Sequence, residues 1–318
     1  MVKRLLSATP KELLAMGKEE LMAAIRMSEG RTIMVASRVR CPNMVDGVTN
    51  AELAAAFGAD IVVLDTYDPK NPYIPGLDSV NPADDQVTAD VQIKMGRGRT
   101  AREIRELVGR PVGVLLAISD GDEPALKRHY GNIIATPEIA ELAVEQGADL
   151  LCLTGWVSRA RLVEAIREIK KVVGDRAILE YGREHGPGLM NLGGAGTSEL
   201  ITQDEIAAVL DAGVDVIGLP APGTFPGWGI EHVSRLASYI HSRGALLNLG
   251  LHTSQEGADA DTVKQIALWA KMAGADIFEI GDSGYTECMV PPENIMAVSI
   301  AIRGRRHTFR RMAFSPLR

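Results

Sequence analysis

Short apolar runs of four or five residues recur along the chain, each entered through a Gly-containing turn. Ala273-Gly274-Ala275-Asp276 leads into Ile277-Phe278-Glu279-Ile280. Phe57-Gly58-Ala59-Asp60, Gln146-Gly147-Ala148-Asp149 and Ala212-Gly213-Val214-Asp215 do the same for the runs that begin at Ile61, Leu150 and Val216. Weaker versions precede Val112, Ala177 and Ala245. Gly closing a helical pattern is a C-cap signal. An apolar run without alternation reads as a strand buried on both faces, as in a parallel sheet. A repeat of this kind outweighs any single motif.

Helical patterns fill the intervals, so strand and helix alternate eight times. The α/β class follows, as a parallel (β/α)8 barrel over 31–304 with right-handed crossovers. An N-terminal helical extension covers 1–30 and a basic tail covers 305–318. Thr9 to Ser28 reads as one helix, N-capped by Thr9 with Pro10 and Glu12 behind it, placed to plug the barrel's amino end. Helix eight is expected to run from Pro292 to about Arg303. The connection from Pro69 to Arg99 is long enough to suggest a functional loop.

The 318 residues and 46% apolar content allow a large core, built from aliphatic residues because aromatics are only 4%. That scarcity, with a net charge of -7, argues against a nucleic-acid partner. Cys41, Cys152 and Cys288 form no CxxC, so neither a zinc finger nor a disulfide scaffold is indicated. No h-region opens the chain, and no run of about 18 apolar residues occurs. The expectation is a cytoplasmic protein with no membrane partner. The arginines from Arg303 to Arg318 are expected to pack on a neighbouring subunit of a homo-oligomer or on the chain's own acidic helices.

In such a barrel the chemistry lies at the carboxyl ends of the strands. Asp65 and Glu180 each close or interrupt an apolar run, a costly place for a carboxylate without a partner. With His252 they are the catalytic candidates, as acid/base groups or metal ligands. Arg38 is the anion-binding candidate from strand one. Thr253 and Ser254 after strand seven, and Gly281, Ser283 and Gly284 after strand eight, sit where barrels often hold phosphate; the bland alternative is a pair of tight turns. The direction of Glu279 is left open. Asp65, Glu180 and Asp282 form an oxygen-rich set suited to Mg2+ or Mn2+. His185, Arg97, Arg99 and the glycine-rich stretch 186–196 are weaker candidates. No strand ends in Lys, which disfavours a Schiff base. No nucleotide cofactor is indicated, since neither GxGxxG after strand one nor GxxxxGK[ST] occurs.

Leu64-Asp65-Thr66-Tyr67-Asp68 superficially looks like a haloacid-dehalogenase motif, but the spacing is DxxD rather than DxD. Gly109-Arg110-Pro111-Val112-Gly113, Gly281-Asp282-Ser283-Gly284-Tyr285 and Ala301-Ile302-Arg303-Gly304-Arg305-Arg306-His307-Thr308 carry a broader likeness. Over nearly its full length the chain resembles an uncharacterised bacterial family of TIM-barrel proteins. Members are often labelled haloacid-dehalogenase-like, and some are encoded near sugar phosphotransferase systems. The resemblance implies a barrel and carbohydrate-phosphate metabolism, and it supplies no catalytic residues. The expected function is an enzyme on a small phosphorylated or carboxylated metabolite, of isomerase/epimerase or carbon–carbon lyase type. The alternatives are a metal-dependent phosphohydrolase on the same rim and a non-catalytic metabolite sensor or scaffold.

Overall fold

The computed structural model describes residues 3–88, 91–120, 133–155, 157–183, 200–281, 283–284 and 288–318. Eight parallel strands close into a barrel: β1 (Thr32–Arg38), β2 (Ile61–Asp65), β3 (Val112–Ala117), β4 (Leu150–Thr154), β5 (Ile178–Gly182), β6 (Val216–Pro220), β7 (Leu246–Leu251) and β8 (Ile277–Ile280). Their order around the barrel is their order in the chain, and β1 pairs with both β2 and β8. Helices α1 (Pro10–Leu14) and α2 (Lys18–Arg26) precede β1. Helices α3 (Asn50–Ala56), α4 (Ala101–Val108), α5 (Pro137–Glu145), α6 (Arg159–Val173), α7 (Gln203–Ala212), α8 (Ile230–Ser242), α9 (Ala260–Ala273) and α10 (Pro292–Ala313) follow the strands in turn. The chain is the (β/α)8 TIM barrel that its repeat predicts.

Every residue of β2, β5, β6, β7 and β8 is buried, which is why these runs carry apolar residues without alternation. The inward face is fixed at the amino end. Met34, Ile61, Leu150, Ile178, Val216, Leu246 and Ile277 pack there with Leu21, Ala24 and Ile25 of α2. Those helices therefore close the barrel floor. They are two helices rather than the single one expected, because Gly17 takes an extended conformation and caps α2, its N–H donating to Glu20. A period of two then carries the inward face up each strand, to Arg38, Asp65, Cys152, Glu180, Gly218, Asn248 and Glu279.

The repeated Asp has a structural task. Asp60, Asp149, Asp215 and Asp276 precede the even strands, and each latches onto the odd strand before it. Their carboxylates accept the N–H of Ile33 (2.9 Å), Val112 (3.0 Å), Leu179 (2.8 Å) and Leu247 (2.9 Å). Their own N–H groups donate to the carbonyls of the same four residues at 2.8–2.9 Å. Each carboxylate also meets a basic side chain: Arg303 and Arg311 for Asp60, Arg105 for Asp149, Lys18 for Asp215 and His241 for Asp276. The barrel is thus four two-stranded units, stapled at the end opposite the candidate chemistry. At Asp149 burial outweighs Arg105 and raises the carboxyl above its ordinary range.

The helix expected to stop near Arg303 breaks at Gly304 (φ 77°) and continues to Ala313. Its second half brings Arg311 onto Asp60 beside Arg303, with Arg110 against the backbone of both elements. So two of the tail's arginines are buried inside their own chain on the first repeat aspartate. Three guanidiniums around one carboxylate leave positive charge in excess. The carbonyls of Gly58, Ala59, Gly109 and Arg311, at the ends of α3, α4 and α10, accept from them and supply the negative ends of helix dipoles. Burial first, then Arg311, pushes the Arg110 pKa down to about 9. The long connection after β2 holds a short hairpin, Gln86–Thr88 with Val91–Ile93, outside the barrel.

Candidate active site

The upper half of the barrel interior is polar on one side. Asn248 sits in the middle of β7, fully buried between leucines. Its Nδ2 donates to Glu180 Oε1 of β5 at 2.7 Å and to Glu279 Oε2 of β8 at 2.6 Å. One amide therefore holds two buried carboxylates, 2% and 5% exposed. Strand β6 lies between Glu180 and Asn248. Its inward residue in register with Asn248 is Gly218, so no side chain separates the amide from the carboxylate. The Cys152 thiol of β4 lies 3.5 Å from Glu180 Oε2 as a donor.

His252 follows β7 and completes the line, with Nε2 3.8 Å from Glu279 Oε1. The ring lies against the end of β8. A Cβ added at Gly281 would stand 2.5 Å from His252 Nδ1, so only glycine leaves room for the imidazole there. Glu279, whose direction the sequence leaves open, points inward. Glu180 and His252 are brought together through Asn248 and Glu279.

Asp65 and Arg38 occupy the neighbouring wall. They are cross-strand partners in register, and Arg38 Nε donates to Asp65 Oδ2 at 3.1 Å. Asp65 Oδ1 accepts the N–H of Thr66, which has φ 58°. Asp65 shares the inward face with Glu180 and His252 but is built into a different pair. Arg40 lies 3.7 Å from Asp68, whose carboxylate closes a turn by accepting the N–H of Lys70 and Asn71.

At the rim, Thr253 and Ser254 both have positive φ, 84° and 64°. Such conformations cost about 1–3 kcal/mol each in non-glycine residues and concentrate at functional sites. Both side chains are exposed. After β8, the N–H of Ser283 donates to the buried carboxylate of Glu256 at 3.2 Å. At that amide the turn already serves a carboxylate, which repels rather than attracts phosphate. Gly284 is pressed against Pro291 and Met289 and packs on Gly257. Asp282, His185 and the stretch 186–196 lie outside the described residues. Among the described residues no three His, Cys, Asp or Glu side chains are grouped to hold a metal ion.

Asn248 and Gly218 are not among the residues expected from the sequence, whereas Gly281 is. A single Asn inside Leu-Leu-Asn-Leu-Gly-Leu was the available signal, because a buried amide needs partners.

A family model matches residues 6–318. The chain belongs to that family, described as Domain of unknown function (DUF7916). A comparison with curated protein sequences found no match. Among solved structures, the chain is similar to the carboxyl transferase domain of Rhizobium etli pyruvate carboxylase, at 15% identity and TM-score 0.49, over 99% of this chain and 53% of that one. It therefore spans about half of that chain's length. It is also similar to N-(5'-phosphoribosyl)anthranilate isomerase from Pyrococcus furiosus, at 11% identity and TM-score 0.45, over 86% and 99% of the two chains. A third is an oxaloacetate acetylhydrolase, at 16% identity and TM-score 0.45, over 83% and 80%. These likenesses carry no argument about chemistry, and the fold rests on the closed sheet itself. The expected haloacid-dehalogenase-like label and the link to sugar phosphotransferase systems find no support in them.

Proposed function

We propose that this family member is an enzyme that moves a proton at carbon on a small carboxylated or phosphorylated metabolite, as an isomerase, epimerase or carbon–carbon lyase. The observation that carries the reading is the line Glu180–Asn248–Glu279–His252, which places two buried carboxylates and an imidazole on one inward wall. A carboxylate beside an imidazole orients the ring. His252 is the proton acceptor in this reading, Glu279 orients it, and Glu180 is the second acid/base group. Arg38, three-tenths exposed at the mouth, takes the substrate's anionic group, and Asp65 orients it. Thr253 and Ser254, with Gly281, Ser283 and Gly284, form the rim.

A Mg2+ or Mn2+ ion on Asp65, Glu180 and Asp282 would polarise a carbonyl or stabilise an enolate. Asp65 and Glu180 are engaged in separate pairs and Asp282 lies outside the described residues, so no step is drawn through an ion. Among the described residues no helix is long and apolar enough to cross a membrane.

The test is solvent exchange. A panel of small hydroxy and keto acids and their phosphate esters is incubated with the protein in deuterated buffer, with and without magnesium, and followed by NMR. Deuterium entering a carbon position, or a carbon–carbon bond breaking, supports the reading if Glu279→Gln slows it. Release of inorganic phosphate alone favours a phosphohydrolase. Binding without turnover favours a sensor.

A further inference from the structure

Helix α10 packs between α9 and α3 on the outside of the barrel. Each of the three follows a parallel strand, so each runs from the barrel's carboxyl end toward its amino end. Their outward positions are apolar. Leu268 and Met272, one turn apart on α9, are 39% and 70% exposed. Met296 and Ile300 on α10, and Leu53 and Phe57 along α3, repeat the same spacing and stay half-buried. The ionisable side chains within this face are tied to the backbone. Glu52 accepts the N–H of Thr49 at 2.9 Å, and Lys271 donates to the Ile302 carbonyl at 2.8 Å. Other sectors differ: α6 turns Arg159, Arg167 and Lys171 to solvent, and α8 turns Glu231 and Arg235. Apolar positions continuous over three neighbouring helices mark an interaction surface.

The two ends of the face carry opposite charge. At the carboxyl end Asp46, Asp259 and Asp261 are exposed, with Lys264 2.6 Å from Asp261. At the amino end the break at Gly304 brings Arg305 and Arg306 to the surface. Among the described residues neither arginine meets a carboxylate. A face that is acidic at one end, apolar in the middle and basic at the other complements itself across a two-fold axis through its centre. A nucleic acid or an anionic lipid surface would be attracted at the basic end and repelled at the acidic one. Helices about 10 Å apart and rising about 1.5 Å per residue give this face on the order of 500 Å2 in projection. A stable pair buries about 800 Å2 per partner, so the apolar face supplies the centre and the charged ends supply the rim.

We infer that this face is the interface of a homodimer, in which a second copy of the chain lies antiparallel on α9, α10 and α3. The acidic end of each copy meets Arg305 and Arg306 of the other. The inference is independent of the acid/base reading.

Sedimentation velocity on the full chain tests it. Wild type is expected to form a dimer with a Kd of about 10 μM or tighter. Ile300→Arg sets two guanidiniums against each other near the axis, and Met272→Glu places a charge at an exposed edge. Each should weaken association by at least about tenfold. Circular dichroism verifies folding, and Met272→Glu keeps the test alive if Ile300→Arg does not fold. Two further variants, Arg305→Glu with Arg306→Glu and Asp46→Lys with Asp261→Lys, should each repel themselves and associate at least about tenfold more weakly. Mixed in equal amounts their ends match again, so a heterodimer of wild-type affinity is expected. A wild type that is monomeric at about 100 μM overturns the proposal. So does a folded Ile300→Arg or Met272→Glu that associates as wild type does, or a mixture of the charge variants that associates no better than either alone.

Discussion

Asn248 reaches Glu180 across an intervening strand, 2.7 Å from amide nitrogen to carboxylate oxygen, over a position that has no side chain. The same nitrogen serves Glu279. Replacing the amide with a third carboxylate, Asn248→Asp, sets like charges against each other in a buried layer. Losing the donors leaves two buried carboxylates each short of a hydrogen bond, a cost of about 1–3 kcal/mol apiece. Asn248→Asp should therefore lower the urea midpoint clearly at pH 7 and recover part of it as pH falls and a carboxyl takes up a proton. A midpoint insensitive to pH in this variant would show that the layer is not electrostatically tight.

Gly281→Ala separates packing from chemistry. The new methyl collides with the His252 ring, while the Gly281 N–H can keep its bond to the Leu251 carbonyl. The fold should survive with a loss of about 1–3 kcal/mol. Proton exchange should fall by about a hundredfold or more, the scale of a displaced general base. Wild-type exchange in a folded Gly281→Ala would remove His252 from the proposed chemistry.

Much of this was legible in the sequence. The Gly-Ala-Asp repeat marked the even strands because it does two physical jobs there. The glycine ends a helix in the left-handed region, as Gly274 does at φ 107°, and the Asp latches the preceding strand. Asp65, Glu180 and His252 were legible as ionisable residues at the ends of apolar runs. Asn248 was not, because its importance comes from partners on β5 and β8 that register alone brings near. The direction of Glu279 was equally hidden, since it depends on which side of β8 faces the barrel. The fate of the basic tail was also out of reach. Asp60 and Arg311 are far apart in the chain, and nothing local to either announces the pair.

The staples should differ in strength according to what each leaves behind. Asp215→Asn leaves Lys18, whose side chain is only 3% exposed and whose Nζ is 2.8 Å from the carboxylate, with only the exposed Asp175 carboxylate 3.8 Å away. Breaking a buried ion pair from one side costs about 3–5 kcal/mol. Asp276→Asn leaves His241, 41% exposed and able to go neutral, so about 1 kcal/mol is expected. Urea denaturation of the two variants should rank them in that order. Equal losses would mean that the strand latch, and not the cation, does the stabilising.

His241 also gives stability a pH dependence of known sign. Its hydrogen bond to Asp276 outweighs burial and raises its pKa above 6.5 in the folded chain. The contribution is complete below the unfolded value and disappears as pH climbs through the folded one. The Tm difference between wild type and His241→Asn should therefore be largest near pH 6 and shrink toward about pH 8. A difference that grows with pH would reverse the assignment.

The most direct measurement is a double-mutant cycle on proton exchange with Glu180→Gln and His252→Asn. Side chains joined through Asn248 and Glu279 and acting on one bound substrate should not contribute independently. Each single variant should slow exchange by about a hundredfold or more, and the double variant should be little slower than the worse single. Multiplicative losses, or exchange untouched in either single variant, would show that these two residues do not serve a common site.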